Sequence, residues 1–407
     1  MIELLRDFRI RRLLTANITG SIGSGITIIA IPWLLIKRAG GEQLYGYVTV
    51  ATTVALFAIV PHYGAWLDRH SRKTAMLAGE IFGATCTLTM AAWMLLTGET
   101  ATWQLLLLYF SGMLYYTLHY PAKFAFVQQI FERRHYQKLM SLLEVQGQTA
   151  SMLSGGLASL LLDHVSFSTI LLIDGSTYVI SYFLQKTIPY EPTHLRDVKP
   201  RVGAVADIME GLRWLRVRPK FTLFICCTFA PFIAVMVGNY LFPIYVQHIL
   251  HASASVFGQG EMAFAVGAIG AALVGPALLA RASYAGAALI MIAVFTGGLA
   301  LMCGVHTVPS FYCALLLLGL GNAGTRIARG TVLLHEVPNA LMGRVNVALV
   351  AVDRTLRTLL QLAAIAVVVH ADAVMAYAGL LAFVGGAFVL AYLTRRALHE
   401  SAPAPVA

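Results

Sequence analysis

Charged side chains are scarce in this chain. Only 12% of its residues are Asp, Glu, Lys or Arg, about half the roughly 25% of an ordinary soluble domain. A soluble α/β protein of this length would need polar faces on most of its helices, so the shortage excludes that class. Acids are the scarcer sign, 19 against 29 basic residues. Cysteine is sparse too. Cys86, Cys226, Cys227, Cys303 and Cys313 all sit in apolar runs, with no metal-ligand spacing and no even-numbered framework. They read as small core residues, so neither a bound metal nor a disulfide scaffold is expected. H-E-x-x-H, C-x-x-C, G-x-S-x-G and a phosphate loop ending in G-K-[ST] are all missing. No enzyme, no cofactor and no direct ATP coupling is expected. The start, "MIELLRDFRIRR", is charged and has no small-residue cleavage site after a short apolar core, so it does not read as a removable signal peptide.

What the chain does have is apolar length: 58% hydrophobic residues and a mean hydropathy of +0.74. Crossing the hydrocarbon takes roughly 20 predominantly apolar residues in a helix. Twelve candidate spans meet that length, at 13–36, 44–63, 74–96, 103–122, 138–162, 166–185, 221–246, 254–280, 284–304, 309–329, 345–369 and 372–394. With the N-terminus in the cytoplasm, only Lys37 and Arg38 of the basic residues outside the spans fall on the far side. This positive-inside asymmetry predicts that both termini are cytoplasmic. It also accounts for the net charge of +10 without a nucleic-acid partner.

One polar stretch, 186–220, divides the spans into six and six. The predicted organisation is a six-helix bundle over 1–185, a cytoplasmic linker over 186–220, a second bundle over 221–396 and a tail over 397–407. Within the linker, "VADIMEGLRWLRVRP" places Val205, Ile208, Leu212 and Leu215 at helical spacing with arginines elsewhere. That pattern predicts an amphipathic helix on the membrane surface. The stretches around spans 4–5 and 10–11 repeat one order of parts, as a duplicated six-helix unit would.

The stretch "GLGNAGTRIARG", Gly319 to Gly330, contains G-x-G-x-x-G. A dinucleotide site needs a strand before this motif and a helix opening on the phosphate. Here the apolar run "FYCALLLL" leads straight into it. The glycines are therefore expected to form a close-packing face on span 10.

After span 2 the chain reads "GAWLDRHSRKTAML". Gly64, Asp68, Arg69, Arg72 and Lys73 match G-x-x-x-D-R-x-x-R-[RK], and with twelve spans the chain resembles the major facilitator superfamily. "FRIRRLLTANITGSIGSG", "YPAKFAFVQQI", "LLIDGSTYVISYF", "EGLRWLRVRP" and "HEVPNALMGRVN" are similar to its macrolide-efflux and siderophore-export branch, which includes the enterobactin exporter. The resemblance implies an all-α integral membrane fold of two pseudo-symmetric six-helix bundles. It implies a monomer in a bacterial inner membrane that exports a small molecule, and it assigns the Gly64–Lys73 motif to gating. It also implies that spans 1, 2, 4, 5, 7, 8, 10 and 11 line the substrate path.

Charges inside spans are costly and should face a cavity or a partner. Arg326 and Arg329 are three apart, as are Arg354 and Arg357, with Gln361 four further on, so each set lies on one helix face. Arginine's planar fork suits carboxylate and phosphate. The expected substrate is an anion or an amphiphile with an anionic head, unless these arginines serve as a gate paired with Asp353 or Glu144. Efflux of a neutral or cationic drug, lysophospholipid flipping and a non-transporting receptor remain alternatives. Tyr116, His119 and Lys123 on span 4, Gln148 on span 5 and Asn17 on span 1 are further candidates for the substrate wall. Proton coupling needs an acid in a partly dry place. Glu261, Asp174, Glu144 and Asp353 are the candidates, with Glu80 also inside a span.

Overall fold

The structure, a computed structural model, describes residues 6–131, 136–191, 204–281, 283–338 and 341–395. Among them there is no β-strand. Lipid offers no water to an open backbone, so a helix that satisfies its own N–H and C=O groups is what these apolar runs can form. The first six are α1 Phe8–Ile36, α2 Gly41–Arg69, α3 Arg72–Thr97, α4 Thr102–Ile130, α5 Tyr136–Leu161 and α6 Phe167–Lys186. A short helix, α7 Ala204–Arg216, follows. Then come α8 Pro219–Thr228, α9 Ala230–Ile244, α10 Ala254–Arg281, α11 Tyr284–Gly304, α12 Val308–Glu336, α13 Met342–His370 and α14 Ala373–Thr394. With α8 and α9 forming one span, the chain has twelve membrane-length segments. Nine of the described helical segments are apolar enough by composition alone to cross a membrane. The other three are α4, α5 and α13, whose polar stripes lower their hydropathy without shortening them.

Several helices overrun the expected spans. α4 continues past Pro121 to Ile130, and α12 runs to Glu336 rather than stopping at 329. A helix of 29 residues rises about 44 Å, against about 30 Å of hydrocarbon. Counting apolar residues finds the membrane edge, whereas the helix runs on beyond it. Arg329 is therefore well inside α12, not at its end.

Span 7 is broken. α8 stops at Thr228 and α9 restarts with Pro231 in its first turn. Proline has no N–H to donate back across the junction, and Phe229 N instead makes a tight bond to Cys226 O, at 3.0 Å. A π-helical turn, Tyr245–Ile249, ends the span.

α7 falls on the linker stretch read as an amphipathic helix. It packs on α13: a Cβ on Gly211 would collide with the Arg344 carbonyl, and Glu210 pairs with Arg344 at 2.5 Å. Leu215 is buried while Met209 and Leu212 are exposed. Val205 and Ile208 have side chains outside the described set.

The chain forms two compact units. One comprises Met1–Pro200 with Ser253–Met262, the other Arg201–Ala252 with Ala263–Ala407. In the first, α1 packs on α5 and α6, and α3 on α4 and α6. In the second, α11 packs on α12 and α14, and α9 on α12, α13 and α14.

Asp7 caps α1, its Oδ1 accepting from Arg9 N at 2.8 Å while Arg9 Nη2 donates to Oδ2 at 2.7 Å. The Arg9 hydrogen bond holds this carboxyl below its ordinary value of 3.8, and partial desolvation opposes the shift. A depressed folded-state value means the contribution is present above the unfolded pKa and is lost as pH falls through the folded one. Asp7→Asn keeps a capping oxygen but removes the charge. Its melting temperature is expected to match wild type once the pH is low enough to protonate the folded-state carboxyl and to fall slightly short of it above about pH 4. Parallel curves across that range would show that the pair contributes nothing.

Candidate functional site

The glycines of "GLGNAG" seat α12 in the second unit. A Cβ on Gly319 would collide with the Phe264 carbonyl of α10, and one on Gly267 of α10 with the Leu316 carbonyl of α12. The two backbones are in contact, each at the other's glycine. Gly321 and Gly324 face Met291 and Phe295 of α11. No nucleotide-binding loop exists here: the motif lies inside a continuous helix.

This packing carries the arginines of α12 toward the break in span 7. Arg329 is buried, donates from Nη1 to the Thr228 carbonyl at 3.0 Å, and lies with its Cζ 3.7 Å from the Phe229 ring centroid. It thus holds the loose end of α8. A cation against an aromatic face is favourable, more so when desolvated. Arg326, three residues earlier, is exposed.

Asp353, Arg357 and Gln361 follow one face of α13 at four-residue spacing. Asp353 and Gln361 are buried and Arg357 half-buried. Asp353 is within electrostatic reach of Arg357, Arg354 and Arg329. Arg357 Nε and Nη2 and Gln361 Nε2 are buried with no protein partner, as is Asp353 Oδ1. Unpartnered donors outnumber the unpartnered acceptor on this face. A buried donor left unmade costs about 1–3 kcal/mol, more when charged, so the face is complementary to an acceptor-rich group.

The stripe expected on α4 divides. Tyr116 is exposed and stacks on Tyr120, centroids 6.2 Å apart, and Lys123 Nζ lies 5.4 Å from the Tyr120 ring centroid. His119 instead stacks on Tyr115 at 4.9 Å and lies 3.7 Å from Glu80 of α3. Gln148 is half-buried on α5. Asn17 is buried on α1, its amide atoms without a protein partner. The structure thus brings His119 to Glu80 and separates it from Tyr116.

Among the acids, Asp174 is buried on α6 and accepts from Thr27 Oγ1 at 2.7 Å. It lines a cavity of about 20 Å³ with Ser24, Thr87 and Ser111, room for about one water. Glu261 lies on the first turns of α10, where Gly258 and Met262 meet Gly155 and Gly156 of α5 within the first unit. The Glu144 side chain lies outside the described residues.

The Gly64–Lys73 motif is not a loop. Gly64, Asp68 and Arg69 are in the last turns of α2, Arg72 and Lys73 in the first turn of α3, with only His70 and Ser71 between. The side chains of Asp68 and Arg69 and the surroundings of Gly64 lie outside the described set. Arg72 Nη1 donates to Ala125 O of α4 at 2.7 Å. Lys73 Nζ donates to the carbonyls of Lys186 and Ile188, each at 2.7 Å. Lys73 therefore sits at the C-terminus of α6, where a cation is favoured.

Two features escaped a reading by spacing. One is the Thr228–Phe229 break, for which Pro231 in an apolar run was the only signal. The other is the polar cluster around Glu80, whose members come from three helices.

The family model described as Major Facilitator Superfamily matches residues 13–353. The uncharacterized MFS-type transporter YfiS of Bacillus subtilis (strain 168) is 21% identical over 210 residues, covering 51% of this chain. That alignment spans about half of the relative, 49% of its length. Among solved structures, a point mutant of the nucleoside transporter NupG has a TM-score of 0.72 at 16% identity, covering 96% of this chain and 100% of that one. A bacterial homologue of the human lysosomal transporter Spinster scores 0.69 at 12% identity, covering 98% and 100%. A bacterial homologue of the iron transporter ferroportin scores 0.68 at 15% identity, covering 97% and 99%. At these identities the likeness is one of fold.

Proposed function

The chain belongs to the Major Facilitator Superfamily, a multi-pass membrane transporter rather than an enzyme, and from that premise we propose that it exports a small organic anion by proton-coupled alternating access. One observation carries the anion: the buried, unpartnered N–H groups of Arg357 and Gln361 on one face of α13. A carboxylate offers the acceptors they need, and Arg354 adds charge beside them. A carboxylate-rich siderophore is the substrate class that fits both this face and the resemblance to siderophore exporters. Arg326, exposed on α12, is assigned to first contact with the anion. Arg329 is assigned to holding the helix break, with binding secondary. Tyr116, Lys123, Gln148 and Asn17 of the first unit are assigned to substrate contact by their places on α4, α5 and α1. Arg72 and Lys73, through their helix-end contacts, are assigned to the cytoplasmic gate together with Gly64, Asp68 and Arg69. Export rests on resemblance to the siderophore-export branch. The cytoplasmic termini rest on the positive-inside pattern, and the bacterial inner membrane on the same resemblance.

The test is transport by the purified chain in proteoliposomes under an imposed pH gradient. Citrate, a macrolide and a lysophospholipid are supplied in separate arms. Citrate movement that collapses with the gradient is expected. Movement of the macrolide or the lipid with none of citrate would replace the anion reading with drug efflux or lipid flipping. Movement in no arm would leave the transport proposal without support and favour a receptor.

A further inference from the structure

The first unit contains a second polar cluster that anion binding does not use. Glu80 of α3, Tyr115 and His119 of α4, and Gln185 of α6 meet in its interior, with Glu80 and Gln185 both buried. Tyr115 OH donates to Glu80 Oε1 at 3.0 Å and Gln185 Nε2 donates to the same oxygen at 2.7 Å. Gln185 Nε2 also donates to Ser181 Oγ at 2.9 Å. Glu80 Oε2, Gln185 Oε1 and His119 Nδ1 are buried without a protein partner. The first two only accept, and the third takes or gives according to its proton. The cluster is therefore short of donors, the opposite of the arginine face on α13.

One proton relieves part of the shortage. On His119 Nδ1 it is a donor 3.7 Å from Glu80 Oε1. On Glu80 Oε2 it removes a buried negative charge, which is costly unless fully paired. The second carboxylate on α6 favours that outcome, because two buried negative charges repel. α6 contributes Asp174, a second buried carboxylate within electrostatic reach of Glu80, and Tyr178, which lies near both. α4 contributes Lys123, which acts on His119 from its own helix. α3 adds Cys86, near Tyr178. Asp174 Oδ2 accepts from Thr27 and its Oδ1, like Glu80 Oε2, has no protein partner; what sets Glu80 apart is the imidazole of His119 beside its carboxylate. Among the described residues no group of three or more His, Cys, Asp and Glu side chains is arranged to hold a metal ion.

We propose that Glu80 and His119 share one exchangeable proton, with Tyr115 and Gln185 holding the carboxylate, and that this pair is a proton-binding site inside the first unit. Its use in transport rests on the proton-coupled reading, but its titration does not. The reading of His119 moves with it, from substrate wall to proton carrier.

The test uses the full chain in lipid nanodiscs, without substrate, by infrared difference spectroscopy across a pH series. A protonated-carboxyl band is expected to grow on acidification, to move when the protein carries isotope-labelled glutamate, and to vanish in Glu80→Gln. In His119→Gln its midpoint is expected to shift by about tenfold in proton concentration, with helix content and elution profile unchanged. A band that survives Glu80→Gln, ignores labelled glutamate, or keeps its midpoint in His119→Gln would overturn the proposal. If Glu80→Gln does not fold, the labelled wild-type protein and His119→Gln decide the matter. Failure of flux in every arm with the titration intact would sink the transport reading and leave the proton site standing.

Discussion

Arg357→Gln is expected to weaken binding of a tricarboxylate by about 10- to 100-fold while leaving the melting temperature near that of wild type. The magnitude follows from hydrogen bonds to charged groups, worth about 1.5–3 kcal/mol each, at about 1.4 kcal/mol per tenfold. Arg357 gives up no hydrogen bond from Nε or Nη2 in the ligand-free protein, and its attraction to Asp353 is offset by repulsion from Arg354. Glutamine keeps some polarity and length but removes the charge and the paired donors. Arg357→Lys keeps the charge without the planar fork and is expected to fall between. Arg329 supplies the contrast. It donates to the carbonyl of the buried Thr228 and stacks on Phe229 across the break in span 7. Arg329→Gln is therefore expected to cost stability first, by about 1–3 kcal/mol for the buried carbonyl left without its donor. Isothermal titration with citrate and a thermal-melt series separate the two. Equal binding loss and equal melting in both variants would show that the division of labour between these arginines is wrong.

Gly319→Ala carries the second large effect, on assembly of the second unit. The added methyl would collide with the Phe264 carbonyl, and backbone cannot turn aside as a side chain can. Overpacking costs about 1–3 kcal/mol even where side chains give way. Here the two helices themselves must separate, so the upper end or beyond is expected. Gly267→Ala presses the same crossing from the other side, against the Leu316 carbonyl. The two changes are expected to be less than additive, because separating the helices once relieves both. Gly330 lies on the same helix with nothing within 4 Å of an added Cβ. Gly330→Ala is expected to be neutral, or stabilising by up to about 1 kcal/mol from helix propensity. Folded yield and melting temperature in detergent read all three. A Gly319→Ala protein as stable as Gly330→Ala would disprove a backbone-to-backbone crossing.

The two polar clusters show how far residue types alone reach. Part of the α13 face was legible because Arg354, Arg357 and Gln361 lie on one helix and periodicity groups them, whereas the place of Asp353 on it and the unpartnered N–H groups were not. The Glu80 cluster was not. Glu80 and Gln185 are 105 positions apart, and His119 reads equally well as part of the stripe with Tyr116 and Lys123. Only the packing of α3, α4 and α6 turns His119 away from Tyr116 and toward a carboxylate. The extent of α12 was missed for a related reason. Counting apolar residues ends span 10 at 329, but helical hydrogen bonding continues to Glu336.

Apolar run length, the scarcity of charge and the one-sided placement of lysine and arginine were enough for the membrane class and the twelve spans, because those features report on transfer from water into lipid, which each segment undergoes by itself. The signature at Gly64–Lys73 pointed to the superfamily on the same local footing. Which buried polar atoms are left without partners is a property of several helices at once. The donor-rich face of α13, the broken span held by Arg329 and the donor-poor cluster at Glu80 therefore emerged only when the chain was folded, since a hydrogen bond between helices depends on distances that no single segment contains.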